Sequence, residues 1–196
     1  MESRIKTPKK EEYAWILDYL PYGSTADRRP TRQKKPICQA IGEEHFILME
    51  LIPKENIDIN IDSRVYIGDG KREEIAHVKR VLKYEDLSAG AKIELPFILE
   101  NCIKHSERPF IKFFNEAHSI SIKLHMLQLL PGIGNKLMKA ILDERNKKEF
   151  KSFEELHERV HGLHHPEKIV VDRVIEELKD ANIKYRLFTL PLRIKK

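Results

Sequence analysis

Residues 129–141 decide the fold and read Leu-Leu-Pro-Gly-Ile-Gly-Asn-Lys-Leu-Met-Lys-Ala-Ile. Upstream of the proline, four apolar residues recur at helical spacing and predict an amphipathic helix; they are Ile122, Met126, Leu129 and Leu130. Pro131 ends this helix because its ring cannot continue the hydrogen-bond ladder, and Gly132 can take the left-handed turn conformation. A second helix opens at Asn135. The pattern therefore predicts a helical hairpin over residues 122–146.

The start of the second helix predicts an anion site. Its first backbone N–H groups have no partner within the helix and lie at the positive end of the helix dipole. Glycines leave room for a phosphate there. We expect salt-dependent contacts to a nucleic-acid backbone, largely blind to base sequence, from Gly132, Ile133, Gly134, Asn135, Lys136, Leu137 and Lys139. The alternative is a hairpin whose glycines only allow tight packing.

This segment resembles the helix-hairpin-helix motif, in which a glycine, an apolar residue and a second glycine precede an apolar-periodic helix. In that family the hairpin amides bind phosphate, which here implies Gly132, Gly134, Lys136 and Leu137. Some members also hold a monovalent cation on hairpin carbonyls. The resemblance thus implies K⁺ or Na⁺ as the one cofactor candidate, on the carbonyls of Gln128, Leu130 and Ile133.

A second, degenerate copy of the hairpin is predicted over residues 152–178. Ser152 and Glu155 form a capping box at the start of its first helix, and Gly162 keeps the first glycine, but His164 stands where the second should be. The arrangement resembles the tandem helix-hairpin-helix of bacterial DNA-uptake and junction-recognition proteins. Because a bulky side chain and Glu167 oppose a phosphate here, we expect this copy to be structural. The alternative is that its histidines contact phosphate through their side chains. Its four histidines (His157, His161, His164 and His165) are interpreted as solvated residues, not metal ligands.

The first half of the chain reads as short strands. Strands are predicted at residues 13–20, 36–41, 45–52, 64–67 and 75–82, the last four as two hairpins around glycine-containing turns. Five such strands predict a small OB-like β-barrel. Helices are predicted at residues 85–93, 96–105 and 107–117. We therefore expect an α+β protein with an OB-like β-barrel domain at residues 1–84 and an all-α helix-hairpin-helix domain at residues 85–196.

A basic loop precedes the second strand and contains no acid between Asp27 and Ile37; its cations are Arg28, Arg29, Arg32, Lys34 and Lys35. Loops beside an OB sheet often line a nucleic-acid groove, so these five residues are candidate backbone contacts. The alternative is a solvated loop that serves solubility. Among the nearby aromatic residues, Trp15 is expected in the barrel core, whereas Tyr19 and Tyr22 are candidates for stacking on bases.

Composition sets broader limits. The net charge of +5 and pI of about 9.1 favour the binding of polyanions. Cys38 and Cys102 stand alone, with no CxxC spacing for a zinc ribbon or disulfide framework, which suits a reducing cytosol. The polar N-terminus lacks the apolar core of a signal peptide, and no apolar run approaches the length of a membrane span. We expect a cytoplasmic protein with no membrane partner.

Over residues 12–188 the chain resembles an archaeal two-domain family of unknown function with an OB-like barrel followed by tandem helix-hairpin-helix. The resemblance is carried by Tyr-Ala-Trp-Ile-Leu-Asp-Tyr-Leu-Pro-Tyr-Gly from residue 13, Arg-Val-Tyr-Ile-Gly from residue 64 and the hairpin segment from residue 124. It implies nucleic-acid or nucleotide binding. It slightly favours RNA over DNA, because genes of this family are associated with genes for RNA modification and transcription.

Two other classes of function compete with a binding protein. A nucleic-acid-processing enzyme would need clustered carboxylates for metal ions, yet the paired acids at residues 43–44 and 73–74 read as solvated turn residues. Asp143 lies on the second hairpin helix itself, too close for the acid of a helix-hairpin-helix glycosylase. A protein–protein assembly module using the hairpins is the other alternative. We predict no catalytic residues and a non-enzymatic binder.

Overall fold

A computed structural model describes residues 10–23, 30 and 34–190. The fold is a mixed α+β fold with two compact units, the first reaching Glu94 and the second beginning at Leu95. The border between residues 94 and 95 thus lies within a helix, ten residues after the predicted domain boundary at 84/85. The predicted boundary stays a prediction.

The first unit is a curled five-stranded antiparallel half-barrel. Its strands are β1 (Tyr13–Leu20), β2 (Ile37–Gly42), β3 (Leu48–Pro53), β4 (Arg64–Tyr66) and β5 (Ile75–Val81), in the order β4-β1-β2-β3-β5. The predicted β2–β3 hairpin is confirmed by its register, which pairs Cys38 with Leu51. The predicted pairing of β4 with β5 is wrong, because β4 pairs with β1 and β5 with β3 at opposite edges.

The core of this unit uses the face of β1 opposite to Trp15, which was predicted to lie in the core. Ala14 and Ile16 are fully buried, whereas Trp15 is half-buried and lies outside the core cluster. A bulge between Ile16 and Asp18 shifts the register against β2, and beyond it Tyr19 packs against the core. A bulge adds one residue to the strand, so the alternation between the two faces of β1 changes beyond Ile16. Tyr22 is 70% exposed.

The helices are α1 (Ala89–His105), α2 (Arg108–Glu116), α3 (Asn135–Lys147), α4 (Phe153–Arg159) and α5 (Pro166–Lys179). The two helices predicted before residue 106 are one helix, α1, with Pro96 inside it. A proline in a helix interior costs about 3 kcal/mol. Buried apolar residues lie on both sides of it, Leu95 before and Ile98 and Leu99 after, and their burial offsets that cost.

The predicted helix from Ile122 to Leu130 is wrong. Residues 119–125 form a small antiparallel hairpin of β6 (Ser119–Ser121) and β7 (Leu124–His125), followed by a 3₁₀ turn, Met126–Leu129. Met126 donates its N–H to the His118 carbonyl at 2.9 Å across the base of this hairpin. Ile122 is fully exposed and contributes to no apolar stripe. Helical spacing over four residues was too short a signal to separate the two structures.

Candidate nucleic-acid interface

The turn between the 3₁₀ turn and α3 has the geometry that its sequence predicts. Ile133 donates its N–H to the Leu130 carbonyl at 3.2 Å. Pro131 follows Leu130, and Gly132 has φ +77°, as the third residue of a type II turn requires. Leu130 and Ile133 are 2% and 4% exposed. The buried apolar residues fix the turn in the unit and leave Gly132 on its surface.

The start of α3 presents free backbone donors. Gly134 is its N-cap, with extended backbone (φ −84°, ψ −175°) and no side chain to accept a hydrogen bond. The first backbone bond of the helix runs from the Met138 N–H to the Gly134 carbonyl at 3.0 Å. Within the described residues, the N–H groups of residues 134–137 therefore have no acceptor. A Cβ placed on Gly132 or Gly134 meets no atom within 4 Å, so the space in front of these donors is open.

Positive charge surrounds this helix start. Lys136 and Lys139 are exposed, and neither forms an ion pair with any described residue. Residues 117–142 contain no aspartate or glutamate, although the whole chain has 31. No carboxylate of this segment therefore opposes an approaching anion.

Side-chain hydrogen bonds order the approach to the turn. The Gln128 side chain accepts the His125 N–H at 2.8 Å and donates to Asn135 Oδ1 at 2.7 Å. The side chain of Asn135, a predicted contact residue, is thus held by Gln128, whereas its backbone N–H has no acceptor among the described residues. His125 Nδ1 accepts the Leu127 N–H at 3.1 Å. Burial lowers the pKa of His125, and the charge of Arg145 adds to the effect.

A buried guanidinium braces the turn from α5. Arg173 is 6% exposed and donates from Nη1 to the Leu129 carbonyl at 3.0 Å and from Nε to Glu177 at 2.9 Å. Glu177 is completely buried and also accepts hydrogen bonds from the backbone N–H groups of Leu187, Phe188 and Thr189. This pair was not predicted from the sequence, and its i, i+4 spacing on a helix with an apolar face was the available signal.

The cation that the resemblance implies stays a prediction. Of its three carbonyls, that of Leu130 accepts the Ile133 N–H within the turn. The carbonyls of Gln128 and Ile133 accept no hydrogen bond from the described residues outside regular helices and strands.

The second copy repeats the turn but changes the helix start. Leu163 donates its N–H to the Val160 carbonyl at 3.1 Å, Gly162 has φ +86°, and Leu163 is 1% exposed. One further residue then precedes the helix, because His165 is the N-cap of α5. Pro166 occupies the first helical position and has no N–H to donate. The Glu167 carboxylate lies 3.3 Å from His165 Nδ1.

Three of the histidines lie side by side next to this second turn. The ring centroid of His157 is 5.6 Å from that of His164 and 6.3 Å from that of His165. His157 Nδ1 is 2.8 Å from the Leu163 carbonyl, which it contacts across the turn. The described residues contain no group of three or more histidine, cysteine or acidic side chains arranged to hold a metal ion.

The basic loop is described only in part. Arg28, Arg29 and Arg32 lie outside the described residues. Lys34 is half-buried, with its Cβ beside Gly23, and Lys35 is exposed. Their role as backbone contacts stays a prediction.

Comparisons with known proteins identify relatives of the whole chain. A family model described as "Protein of unknown function (DUF655)" matches residues 10–190. The uncharacterised protein MJ0038 of Methanocaldococcus jannaschii is 45% identical over 194 residues, covering 95% of this chain and 86% of that protein. A crystal structure of Af1531 from Archaeoglobus fulgidus is 44% identical, with a TM-score of 0.86, and covers 92% of this chain and all of that one. No helix in the described part of the chain combines the length and apolar character needed to cross a bilayer.

Proposed function

The chain belongs to this DUF655 family of unknown function, and we propose that it binds nucleic acid without sequence preference, through the backbone amides at the start of α3. The observation that carries the proposal is the open space at Gly132 and Gly134 in front of unpaired N–H groups. A phosphate oxygen fits there at the positive end of the helix dipole. Lys136 and Lys139 add charge without contacting bases, so the bound sequence matters little.

The architecture supports this proposal as well. The type II turn followed by a helix repeats at residues 160–179, as in a tandem helix-hairpin-helix unit. In the first unit, the order β4-β1-β2-β3-β5 leaves two edges whose pairing would close the sheet, which fits an OB-like, partly open barrel. We infer that the basic loop at residues 28–35 makes a secondary backbone contact. RNA is slightly preferred over DNA in this proposal.

The helix starts that follow the two turns provide a matched pair of variants that tests the proposal. Lys136 lies in the first turn of α3 and Lys168 in the first turn of α5. We expect Lys136→Glu to weaken binding of structured RNA and duplex DNA by at least tenfold at 50 mM salt, because phosphate contacts dominate such affinity. Lys168→Glu makes the same change in charge beside a helix start that is blocked by Pro166 and Glu167, and it should leave affinity nearly unchanged. Equal losses in both variants would show that only net charge matters.

A salt titration separates binding from the alternatives. Backbone binding loses affinity steeply between 50 and 200 mM salt. Assembly through apolar surfaces holds or strengthens under the same conditions. An affinity that is independent of salt would therefore refute the proposed function and favour a protein-assembly module.

A further inference from the structure

The tip of the β6–β7 hairpin presents an isoleucine entirely to solvent. Only Ile122 and Lys123 lie between the paired residues Ser121 and Leu124. The side chain of Ile122 is 104% exposed, more than any other large apolar residue in the described part of the chain. It therefore projects from a tight turn and packs against none of the described residues.

Hydrogen bonds order the hairpin that leads from the tip to the proposed phosphate site. The Lys123 N–H donates to Ser121 Oγ at 3.3 Å within the tip. At the base of the hairpin, the Met126 N–H donates to the His118 carbonyl. The chain then passes directly into the 3₁₀ turn and the Leu130–Ile133 turn. A strand and two turns therefore connect Ile122 to the start of α3.

The charge around the tip favours a polyanion. The hairpin lies within the stretch of residues 117–142 that has no acidic side chain, and Lys123 is adjacent to Ile122. An apolar partner protein would gain nothing from the lysines. A nucleic acid offers both an anionic backbone and apolar base faces, and proteins that insert apolar side chains between bases use isoleucine among others.

We infer that Ile122 is a wedge that inserts between neighbouring bases of a nucleic acid whose backbone is held at the start of α3. This inference rests on the proposed function and specifies its ligand, which is a duplex interrupted by a bulge or junction. The bases are already unstacked there, so insertion of a side chain does not have to separate them. From Ile122 to Leu130 the chain spans at most about 21 Å, four extended residues and four in a 3₁₀ turn. With the turn added, wedge and phosphate site are at most about 28 Å apart, or roughly eight nucleotides of one duplex strand.

The experiment uses one RNA duplex in two forms, perfectly paired and with a single unpaired nucleotide beside a 2-aminopurine. The full chain should bind the bulged form more tightly and increase the 2-aminopurine emission. Ile122→Ser should weaken binding of the bulged form by about tenfold, since it removes the burial of an apolar side chain, and should abolish the emission change. Its affinity for the paired form should stay as it was. Ile122→Leu keeps an apolar tip and should behave like the parent protein.

The outcomes separate the wedge from the proposed function. If Lys136→Glu loses binding while Ile122→Ser matches the parent on both duplexes, the wedge is wrong and the proposed function stands. If the parent binds neither duplex, both are wrong. If Ile122→Ser changes only self-association in light scattering, the tip is a protein contact and the inference is overturned.

Discussion

Replacing Gly134 by aspartate should make the protein more stable and, at the same time, remove its affinity for nucleic acid. Gly134 is the N-cap of α3, with an extended backbone that any residue adopts, and a Cβ there meets no atom within 4 Å. An aspartate carboxylate at this position accepts the N–H of Lys136 or Leu137. It thereby occupies the place proposed for a phosphate oxygen.

The magnitude follows from three contributions. A side-chain cap improves on glycine by a few tenths of a kcal/mol, and a negative charge at a helix N-terminus adds roughly 0.3–1 kcal/mol. Loss of glycine's freedom in the unfolded chain adds roughly 0.4–1 kcal/mol. The free energy of unfolding should therefore rise by about 1–2 kcal/mol. In a protein of this size each kcal/mol raises the melting temperature by roughly 2–4 °C.

Thermal and urea unfolding measure the first effect, and RNA binding at 50 mM salt measures the second. Gly132→Asp is the control, because its φ of +77° costs an aspartate about 1–2 kcal/mol. An unchanged stability in Gly134→Asp would mean that these amides are already satisfied. Increased stability with undiminished binding would place the ligand elsewhere and refute the proposed site.

Three further predictions concern single side chains. Burial and Arg145 lower the pKa of His125, so the fold favours the neutral ring that accepts the Leu127 N–H. The contribution of this ring to stability should be complete above pH 6.5 and be lost as the pH falls through the lowered pKa. An NMR titration of His125 with a midpoint above 6.5 would contradict this. Burial, reinforced by the charge of Asp18, raises the pKa of Cys38 to about 12. In a Cys102→Ser variant at pH 8, a thiol reagent should therefore react with Cys38 only after unfolding, and rapid reaction of the folded protein would disprove this prediction. Glu177→Ala should lower the free energy of unfolding by about 3–5 kcal/mol, since it removes the buried partner of the Arg173 charge and leaves only the half-exposed Glu176, whose Oε2 lies 3.5 Å from Arg173 Nη1. A urea-unfolding loss below 1 kcal/mol would show that the buried pair contributes little.

The turn residues could be predicted from sequence because their conformations are local. Pro131 has a fixed φ and ends the preceding segment, and Gly132 takes a positive φ without a Cβ penalty, so the left-handed conformation observed at Gly132 (φ +77°) could be expected from two residues. Ser152 was correctly predicted as an N-cap, since its Oγ accepts the Glu155 N–H at 3.1 Å. The reciprocal half of the capping box differs, because the Glu155 carboxylate accepts the Lys151 N–H instead.

Features that depend on distant parts of the chain were missed. The β4–β5 turn looked like a hairpin because Gly68 and Gly70 suit one, yet each strand pairs with a different partner. Similarly, nothing near Leu129 indicates that its carbonyl is held by Arg173, which follows 44 residues later. Strand pairing and long-range hydrogen bonds of this kind depend on tertiary packing, which cannot be inferred from a short stretch of sequence.

The buried carboxylate of Glu177 has a consequence for synthesis on the ribosome. Its backbone donors, residues 187–189, are translated ten to twelve residues after it, about one second later at ordinary elongation rates. Until they emerge, the second unit holds a carboxylate that lacks most of its partners, whereas the first unit is already fully translated. A nascent chain that stalls in this interval should be an easy substrate for quality-control proteases.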